Sequence, residues 1–140
     1  MRVFATAAPG HTVPYAALEG VEKDEQRNLI GSFLADSDGS EDLVLAALDR
    51  AEGGTPVFSW SGNYTYTDMF PDGRVIIHQA DYLVDEDGDS EHPPQTTITI
   101  SEARQLLLEW LKAKEAWYAE LRKKEEEEKK RREEAAGRGG

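Results

Sequence analysis

The spacing of apolar residues changes twice along the chain, and these two changes restrict the fold more than any other feature. Between Ser40 and Gly54 apolar positions recur at helical intervals, from Thr55 they alternate with a period of two, and from Ser101 the helical period returns. In the first stretch Ser40-Glu41-Asp42 reads as an N-cap with an acidic first turn. Leu43, Val44, Ala47, Leu48 and Ala51 then share one face, and Gly53-Gly54 is the stop. In the second, Val57–Ser61, Tyr64–Phe70 and Arg74–Val84 are rich in β-branched and aromatic residues. Gly62-Asn63 and Pro71-Asp72-Gly73, both strong hairpin signals, join them into a three-stranded meander.

After the acidic, proline-bearing loop Asp85–Gln95, Thr96–Ile100 reads as a fourth strand that runs straight into Ser101-Glu102-Ala103-Arg104, the expected cap and first turn of a long helix. Ala103, Leu106, Leu107, Trp110, Leu111, Trp117, Tyr118 and Leu121 fall within one stripe at roughly 100° per residue, with Leu108 outside it. Such a stripe is wide enough to cover a sheet face. The expected fold class is therefore α+β: an antiparallel sheet, three strands of meander plus a fourth, packed by a short helix and a long C-terminal helix. The first 39 residues are the least readable. Arg2–Ala7 fits a short strand, Pro9-Gly10 and Pro14 punctuate a loop, and Asp24–Leu34 fits a helix or a strand.

Charge divides the chain at Leu121. Residues 122–140 hold eight basic and six acidic groups, a net charge of +2, whereas residues 1–121 hold 8 basic and 22 acidic groups, a net charge of −14. In the tail Glu precedes a base by four residues at Glu125/Lys129, Glu126/Lys130, Glu127/Arg131 and Glu128/Arg132, the favourable helical order, at about 0.2–0.5 kcal/mol per pair. No apolar stripe continues past Leu121. The expected organisation is one globular domain over 1–121, followed by a charged helical extension over 122–140 that stands in solvent and frays at its end.

Several chemistries are excluded or unsupported by composition and spacing. The absence of cysteine removes disulfides, thiolate zinc sites, iron–sulfur clusters and cysteine nucleophiles. Apolar runs are far shorter than the roughly 20 residues of a membrane span, and the N-terminus is too short for a secretory core, which reads as a soluble cytoplasmic chain without a membrane partner. An acidic surface repels phosphate backbones, so direct nucleic-acid binding is disfavoured and a basic protein partner is favoured. Five carboxylates, Asp85, Glu86, Asp87, Asp89 and Glu91, fall within seven residues, but counting back from Gly88 puts Leu83 where a calcium loop needs its first ligand. Counting back from Gly39 likewise puts Leu34 there. No metal site or cofactor is expected. The loop reads either as a solvated connector or as a contact surface that would plug a basic cleft.

His11, His78 and His92 are scattered. By alternation His78 shares a strand face with Ile76, Ala80, Tyr82 and Val84, which predicts a hydrogen-bonded core histidine rather than a general base. No nucleophile elbow, glycine-rich phosphate loop or His-Glu-x-x-His motif occurs, so enzymatic function has no positive support. Trp60, Tyr64 and Tyr66 surround the first hairpin as core packing or as anchors for a partner.

The order of elements, with Trp60-Ser61-Gly62-Asn63-Tyr64, Pro71-Asp72-Gly73 and the run from Thr97 to Trp110, resembles small bacterial immunity proteins over about residues 40–118. The resemblance implies a non-catalytic inhibitor that binds one cognate toxin in the cytoplasm and blocks its active site or a neighbouring surface. Charge density and hairpin position, not the resemblance, single out the candidate contact residues Asp85, Glu86, Asp87, Asp89, Glu91, Trp60, Tyr64 and Tyr66. Two other classes fit the same sequence: a phage-type nucleic-acid mimic, and a structural or adaptor protein acting through the helical tail.

Overall fold

The structure, a computed structural model, describes residues 1–80 and 94–138. Along the chain run β1 (Arg2–Thr6), β2 (Tyr15–Glu19), α1 (Asp24–Ser37), α2 (Glu41–Glu52), β3 (Val57–Ser61), β4 (Thr65–Met69), β5 (Arg74–Gln79), β6 (Gln95–Thr99) and α3 (Ile100–Arg138). β3 to β6 form an antiparallel sheet in sequence order, and β1 pairs with β2 in a separate two-stranded sheet. The class is α+β. The expected third strand, Arg74–Val84, ends at Gln79, with Ala80 in a turn; residues 81–93, which hold the rest of it, the five clustered carboxylates and His92, lie outside the described residues.

One face of the four-stranded sheet is dry. Thr65, Thr67 and Met69 of β4, Val75 and Ile77 of β5 and Ile98 of β6 alternate inward and are buried, as the period of two requires. The register Thr67↔Ile77, Met69↔Val75 and Val75↔Ile98 stacks them into rows across the sheet. Leu29, Ile30, Phe33 and Leu34 of α1, Val44, Ala47, Leu48 and Ala51 of α2, and Ala103, Leu106, Leu107 and Trp110 of α3 pack into the same cluster. The segment that read as helix or strand is thus a helix, its apolar residues paired at i and i+1 and repeated after four. In α2 the face is narrower than expected: Leu43 is 60% exposed.

The helix caps differ from the sequence expectation. Ser40 occupies the N-cap of α2 but its side chain makes no capping bond; Glu41 Oε1 instead accepts the Gly39 N–H at 2.7 Å. α3 starts one residue before Ser101 and is closed by Thr99, whose Oγ1 accepts the Glu102 N–H while Glu102 Oε1 accepts the Thr99 N–H, both at 3.0 Å. This is a reciprocal capping box, with the two side chains three residues apart. The Ile100 N–H donates to Gly73 O, which ties the start of the helix to the β4–β5 turn.

α3 has 39 residues, so it is about 58 Å long. Its stripe is buried from Ala103 to Trp110, half-buried at Leu111, Trp117 and Leu121, and open at Tyr118, while Leu108 is exposed. Trp117 Nε1 donates to Thr12 O, and β1 lies against α3. After Leu121 every residue whose burial is described is exposed. Of the four Glu-to-base pairs expected there, Arg132 with Glu128 forms, at 2.7 Å.

Candidate functional site

Asp36, near the end of α1, holds the β3–β4 hairpin. Its Oδ1 accepts the Asn63 N–H at 3.0 Å, and its Oδ2 accepts the Tyr64 N–H at 3.1 Å, the Thr65 N–H at 2.8 Å and the Thr65 hydroxyl at 2.7 Å. A carboxylate so surrounded acts as an internal anion in a cradle of turn amides, and bonds to a charged acceptor are the stronger kind. Gly62 makes the approach possible: a Cβ there would lie 2.3 Å from Asp36 Cγ. In the sequence Asp36 stands only in the stretch before Gly39 that fails the calcium-loop spacing.

This clamp stands Tyr64 upright at the hairpin tip, 58% exposed, beside α1. A groove of about 480 Å³ runs from Tyr64 between α1 and β2, lined by Tyr15 to Leu18 on one wall and by Asn28, Gly31, Ser32 and Ala35 on the other. A second hollow of about 520 Å³ continues it, sharing Asn28, Ser32 and Tyr64 and reaching Glu25, Gln79 and Pro94. Both volumes lie in the range of small-ligand and peptide sites.

The three aromatics expected around the first hairpin go to three places. Trp60 faces inward opposite Thr67 and packs half-buried on the core. Tyr64 borders the groove. Tyr66 lies on the outer sheet face, stacked on its cross-strand partner His78 with ring centroids 4.4 Å apart and 9° between planes. The remaining five candidate contacts, Asp85, Glu86, Asp87, Asp89 and Glu91, lie outside the described residues.

His78 is hydrogen-bonded but not a core histidine. Val75 and Ile77 take the buried face of β5, which turns Ile76 and His78 outward. His78 Nε2 lies 3.1 Å from Asp68 Oδ2, and Asp68 Oδ1 accepts the Ser59 N–H at 2.8 Å. Ser59 has φ 53°, a left-handed conformation that costs a non-glycine residue of order 1 kcal/mol or more. It sits where the β3–β4 register shifts between Val57 and Trp60, and the bulge turns Trp60 toward the core. Among the described residues no hydroxyl is bonded to His78.

Electrostatics over the rest of the body are one-sided. Of the 16 acidic residues of positions 1–121 that are described, Glu41 alone is buried. It shares Lys114 with Asp38, and Lys114 Nζ also lies 5.5 Å from the centre of the Trp110 ring. Burial alone would lower the Lys114 pKa, but the hydrogen bonds to Asp38 and Glu41 outweigh it and hold it above the ordinary lysine value. Arg104 is raised likewise, first by its hydrogen bond to Asp49 and then by that to Glu52. Among the described residues no group of three or more His, Asp or Glu side chains is placed to hold a metal, and no helix is long and apolar enough to cross a membrane. No protein-family model, curated protein or solved structure matches the chain.

Proposed function

We propose that the protein is a non-catalytic acidic binding protein that captures and neutralises a basic protein partner, in the manner of an immunity protein acting on its toxin. The observation that supports this reading is the placement of charge: a body of net charge −14 in which, among the described acidic residues, only Glu41 is buried. Carboxylates left at the surface sum to a field that repels anions and accelerates encounter with a cation-rich protein. The groove beside Tyr64 gives that field a concave surface with an exposed aromatic at its rim, the composition from which interface anchors are made.

Affinity capture with the full chain from its native cells, followed by mass spectrometry and an activity assay of the purified partner, tests the proposal. The expected result is a protein of net positive charge whose toxicity or enzymatic activity falls to background at a one-to-one ratio. A neutral or acidic partner, or a partner left fully active in the complex, would contradict it.

A further inference from the structure

The groove between α1 and β2 is walled on one side by a strand edge. Tyr15, Ala16, Ala17 and Leu18 line it in succession, and because side chains alternate along a strand while Ala16 and Leu18 pack against the core, this run of four points to the backbone edge as the wall. β2 pairs with β1 on its other side, and among the described residues no backbone or side-chain group bonds to the groove-facing edge. No proline, lysine or bulge interrupts Tyr15–Glu19.

Gly31, on the facing wall, is a separate observation. It sits inside α1, where glycine weakens a helix relative to alanine, yet a Cβ built there would meet nothing within 4 Å. No packing within the described chain requires a glycine at this position. The space it leaves opens into the groove.

Charge selects the occupant. Glu19 ends β2, Glu25 lines the adjoining hollow, and Arg27, the cation on the wall, is held by Asp24. A second copy of the chain would bring another body of −14 against the first. We propose that β2 accepts an added strand: an extended, lysine- or arginine-bearing segment of a partner protein pairs with its free edge and lies over Gly31, between Tyr15 and Tyr64. Main-chain pairing supplies the affinity in such additions, and the flanking side chains supply the choice of sequence. The charge of the segment rests on the reading of the protein as a binder of a basic partner; the pairing with β2 does not.

The test uses the full chain, isotope-labelled, titrated with three capped hexapeptides. One alternates Lys and Val, one is the same peptide with alternate amides N-methylated, and one has Glu in place of Lys. The expected result is amide shifts at Tyr15–Glu19 and around Gly31 with the Lys peptide, and at least tenfold weaker binding of the N-methylated and Glu peptides. The variant Gly31→Gln, which fills the groove without strain, should melt no lower than wild type and bind the Lys peptide at least tenfold more weakly. Absence of shifts at β2, equal binding of the N-methylated peptide, unimpaired binding by Gly31→Gln, or the same shifts on concentrating the protein alone would overturn the added strand. A Glu peptide that binds as well as the Lys peptide and meets the other criteria supports the added strand and overturns the basic-partner reading instead.

Discussion

Asp36 and Gly62 depend on each other. Asp36→Ala removes the acceptor of three turn amides and one hydroxyl, and at least part of the turn can recover those bonds from water, so the loss should be about 2–3 kcal/mol in urea unfolding. Gly62→Ala should cost a similar amount, because its methyl would overlap the carboxylate. Pairing Gly62→Ala with Asp36→Gly, which removes both the carboxylate and the Asp36 Cβ that the new methyl would meet at 2.4 Å, should cost little more than Asp36→Gly alone; strict additivity would show that the two residues act separately. Lys114 supplies a pH-dependent case. Its pKa is raised on folding, so its contribution is fully present below the unfolded lysine value of about 10.4 and disappears as pH rises through the higher folded value. Lys114→Met should lose about 2 kcal/mol at neutral pH, less than for a fully buried pair because Asp38 is partly exposed. The gap between variant and wild type should close in unfolding measurements carried above the folded pKa, and a gap that stays constant with pH would show that the contribution is packing alone.

Among the elements, α3 joins β1 and α2 to the sheet, and Trp110 is its largest fully buried side chain, at 1% exposure. Trp110→Ala should cost about 3–5 kcal/mol, while Trp110→Phe should cost under about 1.5 kcal/mol, because the indole N–H has no partner among the described residues. Similar losses for both would mean that the N–H is bonded. The elements legible in the sequence include α2, β4, β5, β6 and the first turns of α3, whose apolar spacing answers to a single buried face, and also β1 and β3, which were read as strands. β2 was not, because Tyr-Ala-Ala-Leu-Glu has little strand propensity of its own and is held by pairing with β1. The start of α3 was misplaced because Thr99 and Ser101 both precede a Glu, and only Thr99 stands three residues before Glu102. The face of His78 was misread because alternation gives two faces and does not say which one meets the helices; Val75 and Ile77 decide it. The groove and the Asp36 clamp were invisible for a common reason: their parts are 27–29 residues apart for the clamp and come from β2, α1 and the hairpin for the groove, and no local pattern records such contacts.

At the scale of the whole molecule, stability and charge are separated along the chain. The packed core ends with Trp110, and from Arg122 onward the described helix is exposed, so deleting 122–140 should move the melting temperature by no more than about a degree. A drop of several degrees would mean that the tail packs on the body. The same deletion takes away a net +2 and leaves the −14 body intact, so partner binding should persist. The fold class and the charge asymmetry could both be read before the structure, whereas the shape that concentrates contact beside Tyr64 could not. The proposed capture depends most on that charge acting at a distance, and it is tested most directly by the association rate of the full chain with its captured partner as ionic strength is raised. As the Debye length shortens from about 30 Å to about 8 Å, the rate should fall at least tenfold while the dissociation rate changes far less. An association rate that stays flat across that range would contradict it.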